Sequence, residues 1–363
     1  MTLKNMTLQV NRAAHAETRL REGEMPGLAT GQVRFRIERF ALTANTVTYA
    51  TTGDTLGYWN FFPTGDPAWG CVPAMGWAEV IESRHPEIQS GGRYYGWYPM
   101  GRYVDMTATP TAEGLRDDGT HRTAHAPVYR AYTVTGRDVF YEAGADAEDR
   151  HALLRGLFIT GWLAEDYFSD NGWFGAGRVL VLSASSKTAI GFARCADQRP
   201  RIEVIGVTSE RNHAFTHGLG CYDELVEYGD IALVPANTPL VSIDMAGSGP
   251  VLAAVHGHFG DQLKHSMAVG RSHHDAPSRA ASMPGPKPAF FFAPAQVKKR
   301  VQEWGLRGYQ QRTAAALHGF VGWSREWLQV QHSHGPDAAA ATWSEVHAGR
   351  AGPGTGHVVS LFD

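Results

Sequence analysis

A run of small, hydroxyl-bearing residues carries the first chemical signal. Ser183-Ala184-Ser185-Ser186-Lys187-Thr188 follows an apolar run at 179–183 and leads into a segment of helical spacing, 189–196, that contains Gly191. A buried strand that passes through such a loop into a helix gathers backbone N–H groups and the positive end of a helix dipole. A phosphate or pyrophosphate binds there without dedicated side chains. The Gly-x-Gly-x-x-Gly pattern of a dinucleotide-binding turn is missing. Ser and Ala replace its first glycines, and only Gly191 remains where helix and strand must pack closely. On these residues alone the loop is either a nucleotide-binding turn or a plain strand-to-helix connection. Ser183, Ser185, Ser186, Lys187 and Thr188 are its candidate phosphate contacts, and Lys187 reads equally as a solvent-facing residue at a helix start.

The next apolar run, 202–207, favours the first reading. It ends in Thr208-Ser209-Glu210-Arg211-Asn212, at about the distance where such sites select between two nucleotides. An acidic side chain here accepts the ribose 2′-hydroxyl of NAD, whereas Arg and small hydroxyls suit the 2′-phosphate of NADP. Thr208, Ser209, Arg211 and Asn212 are the candidates to hold it, with Glu210 turned outward at a helix start. Ser209 also reads as the cap of that helix, a role compatible with anion binding. The cofactor expected is NADP(H).

Metal chemistry finds little support. Cys71, Cys195 and Cys221 are widely spaced with no Cys-x-x-Cys pair, which argues against a disulfide framework and a thiolate zinc site. His121-x-x-x-His125 would put two imidazoles on one face only of a helix, and Pro127 with neighbouring Thr and Gly residues argues against one. No metal is expected.

The elements that position these residues fall into two textures. From 31 to about 110 the chain reads as short strands and tight turns. QVRFRIERF (32–40) alternates apolar and charged residues, and further strands are expected at 46–50, 78–83, 93–98 and 132–135. From about 145 the pattern becomes strand–helix alternation. Helices are expected at 146–169, 189–196, 212–219 (ended by Gly220), around 251–258 and over most of 294–327. Apolar strands are expected at 179–183, 202–207, 222–228, 240–245 and 264–269, with a last short one at 358–361. Residues 271–288 read as an exposed loop. The fold class expected is α/β, a small barrel followed by a doubly wound parallel sheet.

Composition sets the outer bounds. The chain has 363 residues, 33 basic and 36 acidic side chains, and a formal charge of −3. That balance supplies no field for nucleic acid or an anionic membrane. With 43% apolar and 11% aromatic residues the chain is globular rather than disordered. No apolar run is long enough to span a bilayer, and the polar stretch 1–21 lacks the core of a secretory signal. A soluble, cytoplasmic protein is the expectation.

Several segments resemble the medium-chain dehydrogenase/reductase superfamily, in its zinc-free quinone- and enoyl-reductase branch. Residues 32–40 resemble its first barrel strand and Leu42-Thr43-Ala44-Asn45 its Asn-bearing active-site segment. Gly76-Trp77-Ala78-Glu79-Val80 with Gly91-Gly92-Arg93 resembles its Gly…GDRV region, and Gly356-His357-Val358-Val359 its closing strand. Longer motifs are similar to a bacterial domain-of-unknown-function family within that superfamily: TANTVTYATTGDTLGYWNFFP (43–63), HRTAHAPVYRAY (121–132), LSASSKTA (182–189) and VTSERNHAF (207–215). The resemblance implies a GroES-like barrel at 1–145 with a return at 305–363, a Rossmann-like NADP-binding domain at 146–304, and a homodimer.

It also implies where to seek catalysis. Hydride transfer without a metal needs a proton donor or a hydrogen-bonding group for the developing oxyanion. Asn45 and Tyr49 follow the first barrel strand, where similar enoyl reductases keep polar residues, and Tyr58 lies in the next loop. His273, beside His274, follows the strand at 264–269, whose carboxyl end faces the cofactor crevice in such sheets. The plain alternatives are boundary aromatics for Tyr49 and Tyr58 and solvated loop histidines for 273 and 274. His121-Arg122 is polar enough to contact an anionic substrate or a ribose. The reading reached is an NADPH-dependent, zinc-independent oxidoreductase acting on a small carbonyl or activated alkene. A lyase or hydratase, or a non-catalytic nucleotide-binding protein, on the same fold are the rivals.

Overall fold

The computed structural model describes residues 3–269 and 283–363. Two compact units emerge, one formed by Met1–Leu153 with Ser324–Asp363 and the other by Leu154–Trp323. The expected divisions stood at 145/146 and 304/305. The observed ones fall inside two long helices, which sequence periodicity does not subdivide.

The first unit opens with β1 (Lys4–Asn11), β2 (Thr18–Glu24) and β3 (Gln32–Leu42). β3 has the expected alternation, burying Val33, Phe35 and Ile37. Next comes α1 (Ala44–Thr51), where a strand was expected at 46–50. The β-branched Thr46, Val47 and Thr48 suggested a strand, but local hydrogen bonding decides otherwise. Thr46 Oγ1 accepts the Thr43 N–H at 3.1 Å, and the Thr48 hydroxyl donates to Ala44 O at 3.3 Å. Burial of Thr46, Tyr49 and Ala50 then follows helical spacing.

After β4 (Trp69–Gly70) come β5 (Pro73–Ser83), β6 (Arg93–Pro99), β7 (Tyr103–Pro110), β8 (Gly114–Asp117) and β9 (Ala131–Val134). The order β3-β5-β6-β9-β8-β7 closes because β7 also pairs with β3, giving a six-stranded antiparallel barrel. β3 can serve both neighbours because it is long. Residues Gln32–Arg36 pair with β7, while Phe40–Leu42 stay free for a later strand.

The second unit is entered within α2 (Ala145–Asp170). It contains β10 (Arg178–Leu182), α3 (Lys187–Ala196), β11 (Glu203–Thr208), α4 (Glu210–Gly218), β12 (Glu224–Glu227), β13 (Leu240–Asp244), α5 (Gly249–Phe259), β14 (Leu263–Ala268) and β15 (Ala289–Phe290). All six strands are parallel, in the order β12-β11-β10-β13-β14-β15. Counted within the unit this is 3-2-1-4-5-6, the doubly wound Rossmann arrangement, whose strand order reverses between β10 and β13. Leu180, Leu182, Ile205 and Val207 on one face pack with Val255 and Phe259 of α5.

α6 (Ala293–Ser324), broken at Gly305 (φ 69°), leads back to the first unit. There β16 (Gln329–His334), α7 (Pro336–His347) and β17 (Thr355–Ser360) complete it, with β17 pairing along the free end of β3. Among the described residues no helix is long and apolar enough to cross a membrane.

Candidate functional site

In the second unit, β10 stops at Leu182 and Ser183 turns into the left-handed region (φ 59°), a conformation that costs a non-glycine residue about 1–3 kcal/mol. Hydrogen bonds hold it there. Ser186 N–H donates to Ser183 O (2.8 Å), Ala184 N–H to Val207 O (2.9 Å), and the Ser183 and Tyr228 hydroxyls meet at 3.1 Å. Asn212 Nδ2 donates to Ser185 Oγ (2.9 Å), and the Tyr222 hydroxyl to Ala184 O (2.7 Å). Ser186 caps α3, its Oγ accepting the Ala189 N–H at 3.3 Å. The loop thus stands at the carboxyl end of the central strand, tied to residues that follow β11 and flank β12.

Lys187 and Thr188 form the first turn of α3. Lys187 is half-buried, and desolvation by the surrounding protein lowers its pKa to about 8. Gly191 does not mediate a helix–strand contact, as the sequence suggested. A side chain there would meet Phe158 of α2 at 3.2–3.3 Å, and one at Gly161 of α2 would meet Thr188 O at 2.6 Å. The close packing is between two helices.

At the end of β11, Thr208 is 1% exposed and its Oγ1 has no hydrogen-bond partner. Ser209 holds the N-cap position of α4, but its side chain accepts no helix N–H, so capping does not use up its hydroxyl. Arg211 is exposed on the first turn. Two residues escaped the sequence reading. Tyr228, just after β12, reaches Ser183. Asp244, which ends β13, is paired in register with Leu182 where the strand order reverses. Its Oδ1 accepts the Ala246 and Gly247 N–H groups at 3.0 Å each, while its Oδ2 has no partner. An aromatic at a third strand end and an Asp followed by a Gly-bearing turn were the available signals.

In the first unit, the helical form of α1 sets Asn45 and Tyr49 one turn apart, with Asn45 Nδ2 donating to the Tyr49 hydroxyl. The Tyr49 ring lies 4.7 Å from Tyr58 and 5.2 Å from Trp97. Burial, reinforced by neighbouring phenols, pushes both tyrosines far above the ordinary phenol pKa, so both stay protonated at neutral pH. Asn45, Tyr49 and Tyr58 are therefore brought together. His273 lies outside the described residues.

Arg122 departs from the expected anion contact. It is 0% exposed, with its Nη1 donating to Phe61 O (3.1 Å) and its Nη2 to Tyr129 O. His121 lies in a single 3-10 turn, Thr120–Arg122, that ends before His125, so no α-helix carries the pair. His125 Nε2 donates to Gly57 O at 3.1 Å, and burial lowers its pKa. No group of three or more His, Cys, Asp or Glu among the described residues is placed to hold a metal.

The two units thus hold a closed six-stranded antiparallel barrel and a parallel 3-2-1-4-5-6 sheet. Residues 40–352 match a family described as "Protein of unknown function (DUF2855)", and the chain belongs to that family. No curated protein matches the sequence. Among solved structures, CurA of Vibrio vulnificus in complex with NADPH is 14% identical with a TM-score of 0.60, over 99% of this chain and 100% of that one. The quinone oxidoreductase of Coxiella burnetii is 12% identical with a TM-score of 0.56, over 98% and 99%. The CurK enoyl reductase is 13% identical with a TM-score of 0.53, over 98% and 99%. At such identities the likeness is one of fold.

Proposed function

We propose that the protein is an NADPH-dependent, zinc-independent oxidoreductase that reduces a small carbonyl or activated alkene. The observation that carries the reading is the Ser183–Ser186 turn at the strand-order reversal, beside a second strand ending in Thr208, Ser209 and Arg211. The residues present fit a nucleotide. Thr208 Oγ1 and Asp244 Oδ2 are buried polar atoms without partners at the ends of the two strands flanking β10. The first turn of α3 adds backbone donors and Lys187.

When bound, the nicotinamide cofactor supplies the hydride. Ser183, Ser185, Ser186, Lys187 and Thr188 hold its pyrophosphate, and Thr208, Ser209, Arg211 and Asn212 its 2′-phosphate. Tyr49 is the proton donor to a substrate oxygen. Asn45 donates to the phenol oxygen, which leaves the phenol hydrogen available. Tyr58 packs against that ring and limits its rotation. A homodimer is part of the reading, formed through the sheet edge at β15, where Phe290 and Phe292 are exposed.

The test is calorimetric titration with NADPH, followed by stopped-flow oxidation of NADPH over a carbonyl and enone panel. Absence of binding at millimolar NADPH would sink the proposal. Binding without oxidation by any of the panel would favour the lyase or hydratase, a reading supported by the serine side chains that stand where glycines usually admit the cofactor.

A further inference from the structure

The motif at residues 121–132 finds no use in the proposed chemistry, yet it contains an arginine wholly withdrawn from solvent. Besides its bonds to Phe61 O and Tyr129 O, the Arg122 guanidinium lies 4.4 Å from the Phe61 ring centre and 5.0 Å from that of Phe62. Its Nε has no hydrogen-bond partner, and Asp117 Oδ2 stands 3.7 Å away. Burying a cation this deeply is expensive, and an apolar replacement often stabilises a core more. What an apolar residue could not do is grip two separate backbone segments with one planar fork.

The first of these segments carries Tyr58 itself, in the same turn as Phe61, whose N–H donates to Tyr58 O at 3.1 Å. Phe61 is 5.4 Å from the Tyr58 ring and 5.5 Å from Tyr129, and Tyr129 meets Tyr58 edge-on at 6.0 Å. The His125 ring lies 4.3 Å from that of Phe61. Tyr58 in turn touches Tyr49. We propose that Arg122 is a positioning residue, which sets the orientation of Tyr58, and through it Tyr49, by clamping Phe61 and Tyr129 together. The functional consequence rests on the reductase reading above, but the placement of Tyr58 does not.

The test therefore has two readouts. Arg122→Lys keeps the charge but loses the fork. The Tyr58 ring resonance, seen by NMR with ring-13C tyrosine and assigned by its loss in Tyr58→Phe, should shift or broaden in Arg122→Lys. An unmoved resonance in a folded variant overturns the proposal. With turnover, Arg122→Lys should lower kcat about tenfold while leaving the KM for NADPH unchanged, and adding Tyr58→Phe should cost nothing more. Independent, multiplying losses would mean that Arg122 acts elsewhere, and would also overturn it. If the wild type reduces nothing, the reductase reading fails while the resonance still decides the role of Arg122. Should Arg122→Lys not fold, Arg122→Gln takes its place, since its single amide can donate to one of the two carbonyls but cannot bridge both. A displaced Tyr58 resonance then supports the clamp, and an unmoved one refutes it.

Discussion

Replacing Gly161 by Ala tests whether α2 supports the nucleotide loop through direct backbone contact. A Cβ at Gly161 would stand 2.6 Å from Thr188 O and 2.8 Å from Phe192 N, where ordinary contact begins at 3.4 Å. Both neighbours are backbone atoms of α3, so no side chain can swing aside. Relief requires α3 to move by about 0.8 Å, and overpacking of this kind costs about 1–3 kcal/mol. The better helix propensity of Ala returns about 1 kcal/mol, leaving a net loss of up to about 2 kcal/mol. Thr188 lies in the first turn of α3, so the same displacement should weaken NADPH binding about tenfold, equivalent to about 1.4 kcal/mol. Urea unfolding followed by circular dichroism gives the first quantity and calorimetric titration the second. Gly257→Ala is the control, because a Cβ on that exposed face of α5 meets nothing within 4 Å. It should stabilise by about 0.5–1 kcal/mol. If Gly161→Ala gained stability as Gly257→Ala does, with NADPH affinity intact, the argument from helix contact would be wrong.

Three further outcomes are expected. Arg211→Ala should weaken NADPH binding by about 1.5–3 kcal/mol, the worth of a charge-assisted hydrogen bond, and leave NADH binding nearly unchanged; calorimetry with both nucleotides would expose an equal loss as contradiction. Burial holds Lys187 at about 8, below its ordinary 10.5, so the charged form penalises the fold below pH 8 and the penalty is relieved as pH rises toward 10.5. Urea stability should therefore rise across that window in the wild type and lose this rise in Lys187→Met, and parallel pH profiles would count against it. Tyr49→Phe should cut the hydride-transfer rate about 100-fold or more with NADPH affinity unaltered, as single-turnover stopped-flow would reveal; an unchanged rate removes Tyr49 as proton donor.

Legibility in the sequence followed the length scale of the signal. The parallel sheet was readable because each strand, such as 179–183, is a short apolar run bounded by turn residues, and burial on both faces requires that pattern. The barrel was readable only in β3, β5, β6 and β9. β7 and β8 went unread, as did β1 and β2 in the separate sheet β2-β1-β4, where β2 is largely exposed and has no alternation to detect. Three β-branched residues disguised α1, since a capping hydrogen bond outweighs intrinsic preference over a single turn. The placement of 183–188 and 208–212 at strand ends that lead into helices was legible, because an apolar run followed by a helix start fixes position without tertiary information. Arg122 was not. A charged residue in a polar loop gives no sign that it will be fully buried, because its burial depends on Phe61, 61 residues away, and on a turn that folds Tyr129, seven residues on, back against it.

The missing glycines take on a different meaning in this light. A glycine-rich turn is open because nothing projects from it, and its shape is imposed by its own backbone freedom. Here the turn is occupied by serines, and its shape is imposed from outside through Asn212 on Ser185, Tyr228 on Ser183 and Tyr222 on Ala184. Glycine has moved to the helices behind the turn, where Gly161 and Gly191 let α2 and α3 touch. Two of the residues that tether the loop, Asn212 in the helix after the second strand and Tyr228 just after the third, stand where a 2′-phosphate would be read. Under the proposed function, recognition of that phosphate and the shape of the turn would be coupled. Asn212→Ala should on this argument weaken not only NADPH but also NADH, which has no 2′-phosphate to lose. A selective effect on NADPH alone, measured by the same titrations, would separate the two roles and refute the coupling.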